Sequence, residues 1–245
     1  MGIAFETWTD EDYQRLNQVE LVNREALDIL TWAYTTFSNQ LVYSCSFGVE
    51  GIVLIDLISK VKQDAKIVFL DTNFHFQETY DLIEKVKRKY PSLEITSLLP
   101  SISPKEQARQ YGAELWRNDP DLCCEIRKLQ PLAGELSKYE AWISGLRREQ
   151  SETRKHVEFV NRDTRFQTVK ICPLIHWTWE DVWNYIHLHK LPYNELHDKN
   201  YPSIGCEHCT QAVQEGEDFR SGRWASTVKT ECGLHENKRV MNKEG

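Results

Sequence analysis

Short apolar runs that stop abruptly at small or polar residues punctuate this chain, and they leave few folds open. LVY at 41–43 runs into SCSFGVEG, and IVFL at 67–70 runs into DTN. LEIT follows at 93–96, AWIS at 141–144 ends on Gly145, and VKIC at 169–172 is the fifth run. Helical patterns lie between them: IVLIDLI at 52–58 and an amphipathic stretch at 76–89. Strands alternating with helices predict an α/β fold, with a mainly parallel sheet flanked by helices. In such sheets ligands sit beyond the carboxyl ends of the strands, where the loops 44–51, 71–75 and 145–154 all fall. Residues up to Ser38 are expected to be helical, and EALDILTWA within them carries the spacing of a packing helix. A chain of 245 residues can bury a full core. With no internal repeat, low-complexity tract or linker, 1–245 is expected to be one domain, with 201–245 as its C-terminal segment, loose from Glu236 on.

The first loop joins strand to helix through Ser44, Cys45, Ser46, Phe47 and Gly48. Free backbone N–H groups and the positive end of the helix would face a phosphate or sulfate there. Many such turns hold nothing, so this corner decides little alone. The stretch 201–235 is denser in chemistry. Cys206-x-x-Cys209 is followed by Arg220 and Arg223, then by Cys232 with His235 three residues on. Far upstream stands the consecutive pair Cys123-Cys124. Thiolates select zinc or iron–sulfur clusters. Neighbouring cysteines point in different directions, so both ligate only from an unusual backbone or to different irons, which favours a cluster over one tetrahedral zinc. Cys45 and Cys172 lack such company and read as packing residues.

The net charge of −7 provides no general basic field for a nucleic acid. An anionic ligand must meet a local cluster instead. Lys128 stands four residues after Cys124, one turn on if the segment is helical. Arg147, Arg148 and Arg154 follow Gly145, and Arg220 and Arg223 precede Cys232. Each alone reads as a solvated surface charge. Gathered around strand ends and a thiol, they make a clamp for sulfate or phosphate. Positive charge near Cys232 would favour its thiolate and make it a nucleophile. No basic and apolar leader opens the chain, and no apolar run is long enough to cross a bilayer, so a cytoplasmic address without a membrane or nucleic-acid partner is expected. In that compartment seven cysteines argue for metal or redox chemistry rather than structural disulfides.

SCSFGVEG, LDTNFHFQET, CCEIRK, GLRREQ, CPLIHWTWEDVW, YPSIGCEHC and ECGLH, in that order, resemble the assimilatory sulfonucleotide (APS/PAPS) reductases. More narrowly, they resemble the bacterial iron–sulfur, thioredoxin-dependent adenylyl-sulfate (APS) reductases. The resemblance covers about residues 20 to 235. It implies an adenine-nucleotide alpha-hydrolase-like sheet of PP-loop type, with a C-terminal cluster-binding and catalytic segment. It also implies a [4Fe–4S] cluster on Cys123, Cys124, Cys206 and Cys209. Lys128, Arg154, Arg220, Arg223 and His235 would contact the phosphosulfate, with Ser44, Ser46 and Gly145 beside the nucleotide. Cys232 would attack APS and carry an S-sulfocysteine, and thioredoxin or glutaredoxin would release sulfite. Family members with the four cluster cysteines mostly prefer APS, which is therefore expected here. The spare basic residues Arg147 and Arg148 leave some use of PAPS open, and a homo-oligomer is also left open.

Two departures from related motifs matter. The loop lacks the Lys and Asp of the ATP-hydrolysing SGGKDS pattern, which suits a loop that only holds a nucleotide. Asn73 stands where LDTG has glycine, and Asn tolerates a left-handed backbone. Two rival readings remain. A tRNA sulfur-inserting ligase of the same fold would need the missing ATP loop. A zinc-binding interaction module would use the four cysteines only to fold, leaving the arginines and Cys232 idle.

Overall fold

The computed structural model describes residues 4–214, 216–224 and 233–234. The apolar runs become β1 (Leu41–Cys45), β2 (Lys66–Leu70), β3 (Glu94–Leu98), β4 (Ala141–Ile143) and β6 (Thr168–Ile171), with one further strand, β5 (Val160–Asp163). They form a single sheet in the order β3-β2-β1-β4-β6-β5. Every pair is parallel except β5–β6 at one edge. The mainly parallel sheet expected from the sequence is therefore present.

Side chains alternate across a strand, so one run of residues can serve two cores. Leu41, Tyr43 and Cys45 of β1, with Ile67, Phe69, Ala141 and Ile143, enter the larger core. The helices Ala26–Phe37 and Val49–Val61 pack into that same core through Ile29, Leu30, Ile52 and Ile55. Val42, Val68, Leu70 and Trp142 point the other way, against Leu132 and Leu136. Burial on both faces explains why the strands read as continuous apolar runs.

The chain lays β2 and β3 on one side of β1, then crosses to place β4 on the other. That reversal opens a crevice between the carboxyl ends of β1 and β4, the usual ligand position in such sheets.

Three local features differ from expectation. The segment up to Ser38 is divided: Ala4–Thr7, Asp10–Arg15, a π turn at Leu16–Glu20, and Ala26–Phe37. Strand β5 has no apolar alternation: its outer residues Val160 and Asp163 are buried while Asn161 and Arg162 are half-buried. It is fixed by pairing with β6 and by a buried ion pair from Lys170 to Asp163 at 2.9 Å. Helices Pro104–Tyr111 and Trp179–Leu188 were also not assigned from the sequence, although each starts at a capping box, Ser103 with Glu106 and Thr178 with Asp181. Among the described residues no helix is long and apolar enough to cross a membrane.

Candidate functional site

A cavity of about 220 Å3 occupies the crevice at the carboxyl ends of β1, β2 and β4. Its floor is the loop after β1. Phe47 there adopts φ 57°, an uncommon conformation for a bulky residue, and is held by burial, by an edge contact to Phe69 at 5.5 Å, and by donating its N–H to Cys45 Sγ at 3.2 Å. The loop delivers the chain into the helix Val49–Val61 at Gly48, whose side supplies no cap. The first N–H groups of that helix are thus left to face the cavity, which Gly48, Val49, Glu50 and Gly51 border. Gly51 has a packing reason as well: a Cβ there would stand 2.9 Å from Cys45 Sγ.

Seven residues singled out in the sequence border this one cavity: Ser44, Ser46, Lys128, Gly145, Arg154, Arg220 and Arg223. Arg154 is 6% exposed and donates to Gln150 Oε1. Arg223 lies over the Trp224 ring at 4.5 Å, donates to Ser203 Oγ at 3.3 Å, and leaves its Nε buried without a hydrogen-bond partner. Its guanidinium rests against the Cα of Gly205, where any side chain would collide with it. Arg220 sits 5.8 Å over the same Trp224 ring. A short antiparallel bridge from Thr210 to Arg223 brings these two arginines back beside the Cys-x-x-Cys turn.

Not every expected cation serves the cavity. Arg147 borders it but is 3% exposed and already matched, donating to Glu50 at 2.9 Å and to Glu149 at 2.8 Å. Arg148 does not line it and pairs with Glu158 at 2.9 Å. The sequence treated both as spare positive charge; the structure corrects this, because Glu50, Glu149 and Glu158 fold onto them.

The four paired cysteines border a second, much smaller pocket of about 10 Å3. Cys123 and Cys124 end the helix Pro120–Cys124, which Asp119 caps by accepting from Leu122 N, and the chain then loosens into a π turn at Glu125–Leu129. Both cysteines keep ordinary helical backbone, and the irregular turn begins one residue after them. Cys206 is tied to the loop after β2 through a bridge to His75 and a 3.2 Å contact with Thr72 Oγ1. Burial raises the Cys123 thiol above its ordinary value, with Cys206 adding to the effect. Burial also pushes Cys209 up to about 11, while Lys128 and Arg223 pull it down. Among the described residues no group of three His, Cys, Asp or Glu side chains is arranged to hold a single ion. Cys45 and Cys172 are pushed up to about 12 by full burial, as fits packing residues.

Lys128 borders both pockets, in the π turn rather than the α-helical turn expected. Three other residues escaped the sequence reading. Arg127, 1% exposed, lies under Phe74 at 4.5 Å and donates to Thr72 O at 3.0 Å, with Nε and Nη2 unpartnered beside the cysteines. His208, stacked on Trp116 at 4.2 Å, covers the same pocket. His75 bonds Leu70 O at 2.9 Å, and burial lowers it to about 4, so it is neutral at ordinary pH. Arg127 and His208 sit inside motifs already quoted; burial marks Arg127 and the stack on Trp116 marks His208, and both appear only in three dimensions. Asn73 takes the left-handed backbone at φ 57°, so the turn survives without glycine. Cys232 and His235 lie outside the described residues.

The phosphoadenosine phosphosulfate reductase domain family matches residues 40–212. An adenosine 5'-phosphosulfate reductase of Shouchella clausii is 61% identical over 235 residues, covering 96% of this chain and 97% of its own. The crystal structure of a phosphoadenylyl-sulfate reductase from Candida auris superposes with a TM-score of 0.72 at 34% identity, over 84% of this chain and 98% of that one. A Candida glabrata FMN adenylyltransferase, 14% identical with a TM-score of 0.58 over 88% of this chain and 77% of its own, shares the fold alone.

Proposed function

The chain belongs to the phosphoadenosine phosphosulfate reductase family, and from that premise we propose that it reduces adenylyl sulfate to sulfite and AMP through an S-sulfocysteine on Cys232. It is a sulfonucleotide reductase of sulfate assimilation, an oxidoreductase acting on a sulfur group. One observation carries the finer reading: the strand-end loops and the cations Lys128, Arg154, Arg220 and Arg223 border a single cavity, and Lys128 also borders the four-cysteine pocket.

The adenylate lies over Ser44, Ser46 and Gly145, and its phosphosulfate faces the cations. The Cys232 thiolate attacks the sulfuryl sulfur. The bridging S–O bond breaks, AMP leaves with its electron pair, and the enzyme keeps Cys–S–SO3−. A thiolate of thioredoxin or glutaredoxin then attacks Cys232 Sγ, and sulfite leaves with the electrons of the S–S bond. The second thiol of that reductant closes its own disulfide and frees Cys232, so the dithiol supplies both electrons.

Four sulfurs spread around one pocket, two of them consecutive at an α-to-π junction, suit the ligand set of a [4Fe–4S] cluster better than one tetrahedral zinc. The orphaned donors of buried Arg127 suit an anionic group there. Cys123, Cys124, Cys206 and Cys209 would hold it, and when bound it would polarise the sulfate end of the cavity beside Lys128. APS is favoured over PAPS by the name of the 61% identical relative and by the loss of Arg147 and Arg148 as spare cations.

Intact-mass spectrometry tests the covalent step. With APS and no reductant, one sulfonate should accumulate on the peptide containing Cys232, and reduced thioredoxin should discharge it as sulfite. An adduct on Cys45 or Cys172, or sulfite release by Cys232→Ser, would end this reading.

A further inference from the structure

We propose that Arg165, in the turn of the β5–β6 hairpin, is a positioning residue that seats the C-terminal tail against the cavity through Gly233 and Leu234. The turn lies between β5 and β6 at residues 164–167, in none of the motifs quoted above. Nη1 of Arg165 donates to the carbonyl oxygen of Gly233. The tail passes there with little room. A Cβ at Gly233 would stand 3.3 Å from Arg165 Nη1 and 3.3 Å from Leu129 Cδ1, so the chain threads between a guanidinium and a leucine where glycine fits most easily.

The next residue completes the seat. Leu234 packs on the cluster of Val42, Val68, Leu70, Leu132, Leu136 and Trp142, as does Phe166, the neighbour of Arg165. Leu234 also lines the nucleotide cavity, which Trp142 and Leu70 border too. One charged hydrogen bond and one apolar contact therefore fix consecutive tail residues on the sheet face that carries Ser44 and Ser144.

The hairpin is a firm base for this. Asp163 accepts from Arg165 N at 3.2 Å and from Phe166 N at 3.4 Å, and its carboxylate is tied to Lys170 at 2.9 Å in the interior. The edge strand that the sequence did not reveal thus supplies the seat. Its consequence rests on the reading of Cys232 as the nucleophile. Cys232 directly precedes the seated Gly233 in the chain, and a geometric constraint on a reacting group raises its rate.

The experiment separates the seat from the nucleophile. Arg165→Ala, Arg165→Lys and Leu234→Ala are compared with the unaltered, cluster-loaded enzyme in three measurements: native trypsin cleavage at the tail sites Lys229 and Lys238, AMP affinity, and the rate of sulfonate transfer from APS in a single turnover. Arg165→Ala should speed tail cleavage and slow sulfonate transfer, each by about tenfold. Leu234→Ala should do the same more weakly and covers the case in which Arg165→Ala does not fold. Arg165→Lys should recover part of both effects, and AMP affinity should stay within about twofold in the Arg165 variants. Unchanged tail cleavage in Arg165→Ala and Leu234→Ala overturns the seat. Faster cleavage with unchanged sulfonate transfer overturns positioning. If the unaltered enzyme forms no adduct on Cys232, the nucleophile reading fails instead, and cleavage alone still decides the seat.

Discussion

The two pockets that share Lys128 are built on opposite principles. The cavity at the strand ends is wide, about 220 Å3, and assembled from far-apart segments: the loops after β1 and β4, the Trp179 helix, and the returning chain at 202–224. The cysteine pocket is about 10 Å3 and closed by Phe74, Trp116 and His208, whose rings stand 4.2 to 5.2 Å apart. In the small pocket all four cysteines picked from the sequence arrive together. Of the cations picked for the wide one, Arg147 and Arg148 are taken by carboxylates instead. A clustered thiol has little else to do in a buried site, whereas an arginine finds a partner in any nearby Glu. Residue type therefore predicts which thiols gather more firmly than which arginines stay unpaired.

The largest expected effect attacks the small pocket. Replacing Cys123, Cys124, Cys206 or Cys209 with Ser should remove iron, the broad visible absorption and activity together, while Cys45→Ser and Cys172→Ser should retain the iron and its absorption. Iron analysis and a spectrum of anaerobically purified protein decide it; a fully iron-loaded Cys206→Ser enzyme would break the contrast.

The wide cavity should respond by degrees. Arg220→Ala or Arg223→Ala removes a charge-assisted contact, worth about 1.5–3 kcal/mol or about 10- to 150-fold in nucleotide affinity. Iron content should not change. Calorimetric titration with APS or AMP measures this, and wild-type affinity in both variants would return these arginines to the class of surface charges.

Gly205→Ala offers a smaller and more geometric test. The added methyl collides with the Arg223 guanidinium, a flexible side-chain end that can move aside. Affinity should fall by less than in Arg223→Ala, about threefold to tenfold, with iron retained. A loss equal to that of Arg223→Ala would mean that the strand bridge at Thr210 moves as well.

The smallest effects belong to the paired arginines. Arg148→Ala should leave kcat/KM for APS and PAPS within about twofold, since its half-exposed ion pair faces away from the cavity. Glu149→Gln loosens the hold on Arg147 and should raise kcat/KM for PAPS relative to APS by about threefold. A large change on Arg148→Ala would restore that residue to the clamp.

The amino-acid order alone pointed to the parallel sheet, because apolar runs separated by helical stretches bury both faces of β1, β2, β4 and β6 in that way, with β3 left more open at one edge. It also determined that Ser44, Ser46 and Gly145 lie at strand ends and that four thiols form a set. Those signals are local, carried by residue type and spacing within a few positions. Tertiary structure decided what depends on distant partners. Glu50 reaches across 97 residues to neutralise Arg147, and Lys170 pins Asp163 so that VNRD pairs as an edge strand. Burial turned Arg127, one of three polar letters in EIRK, into an orphaned donor beside the thiols. A charge takes its role from its nearest counter-charge and its exposure, and both are set only when the chain has folded.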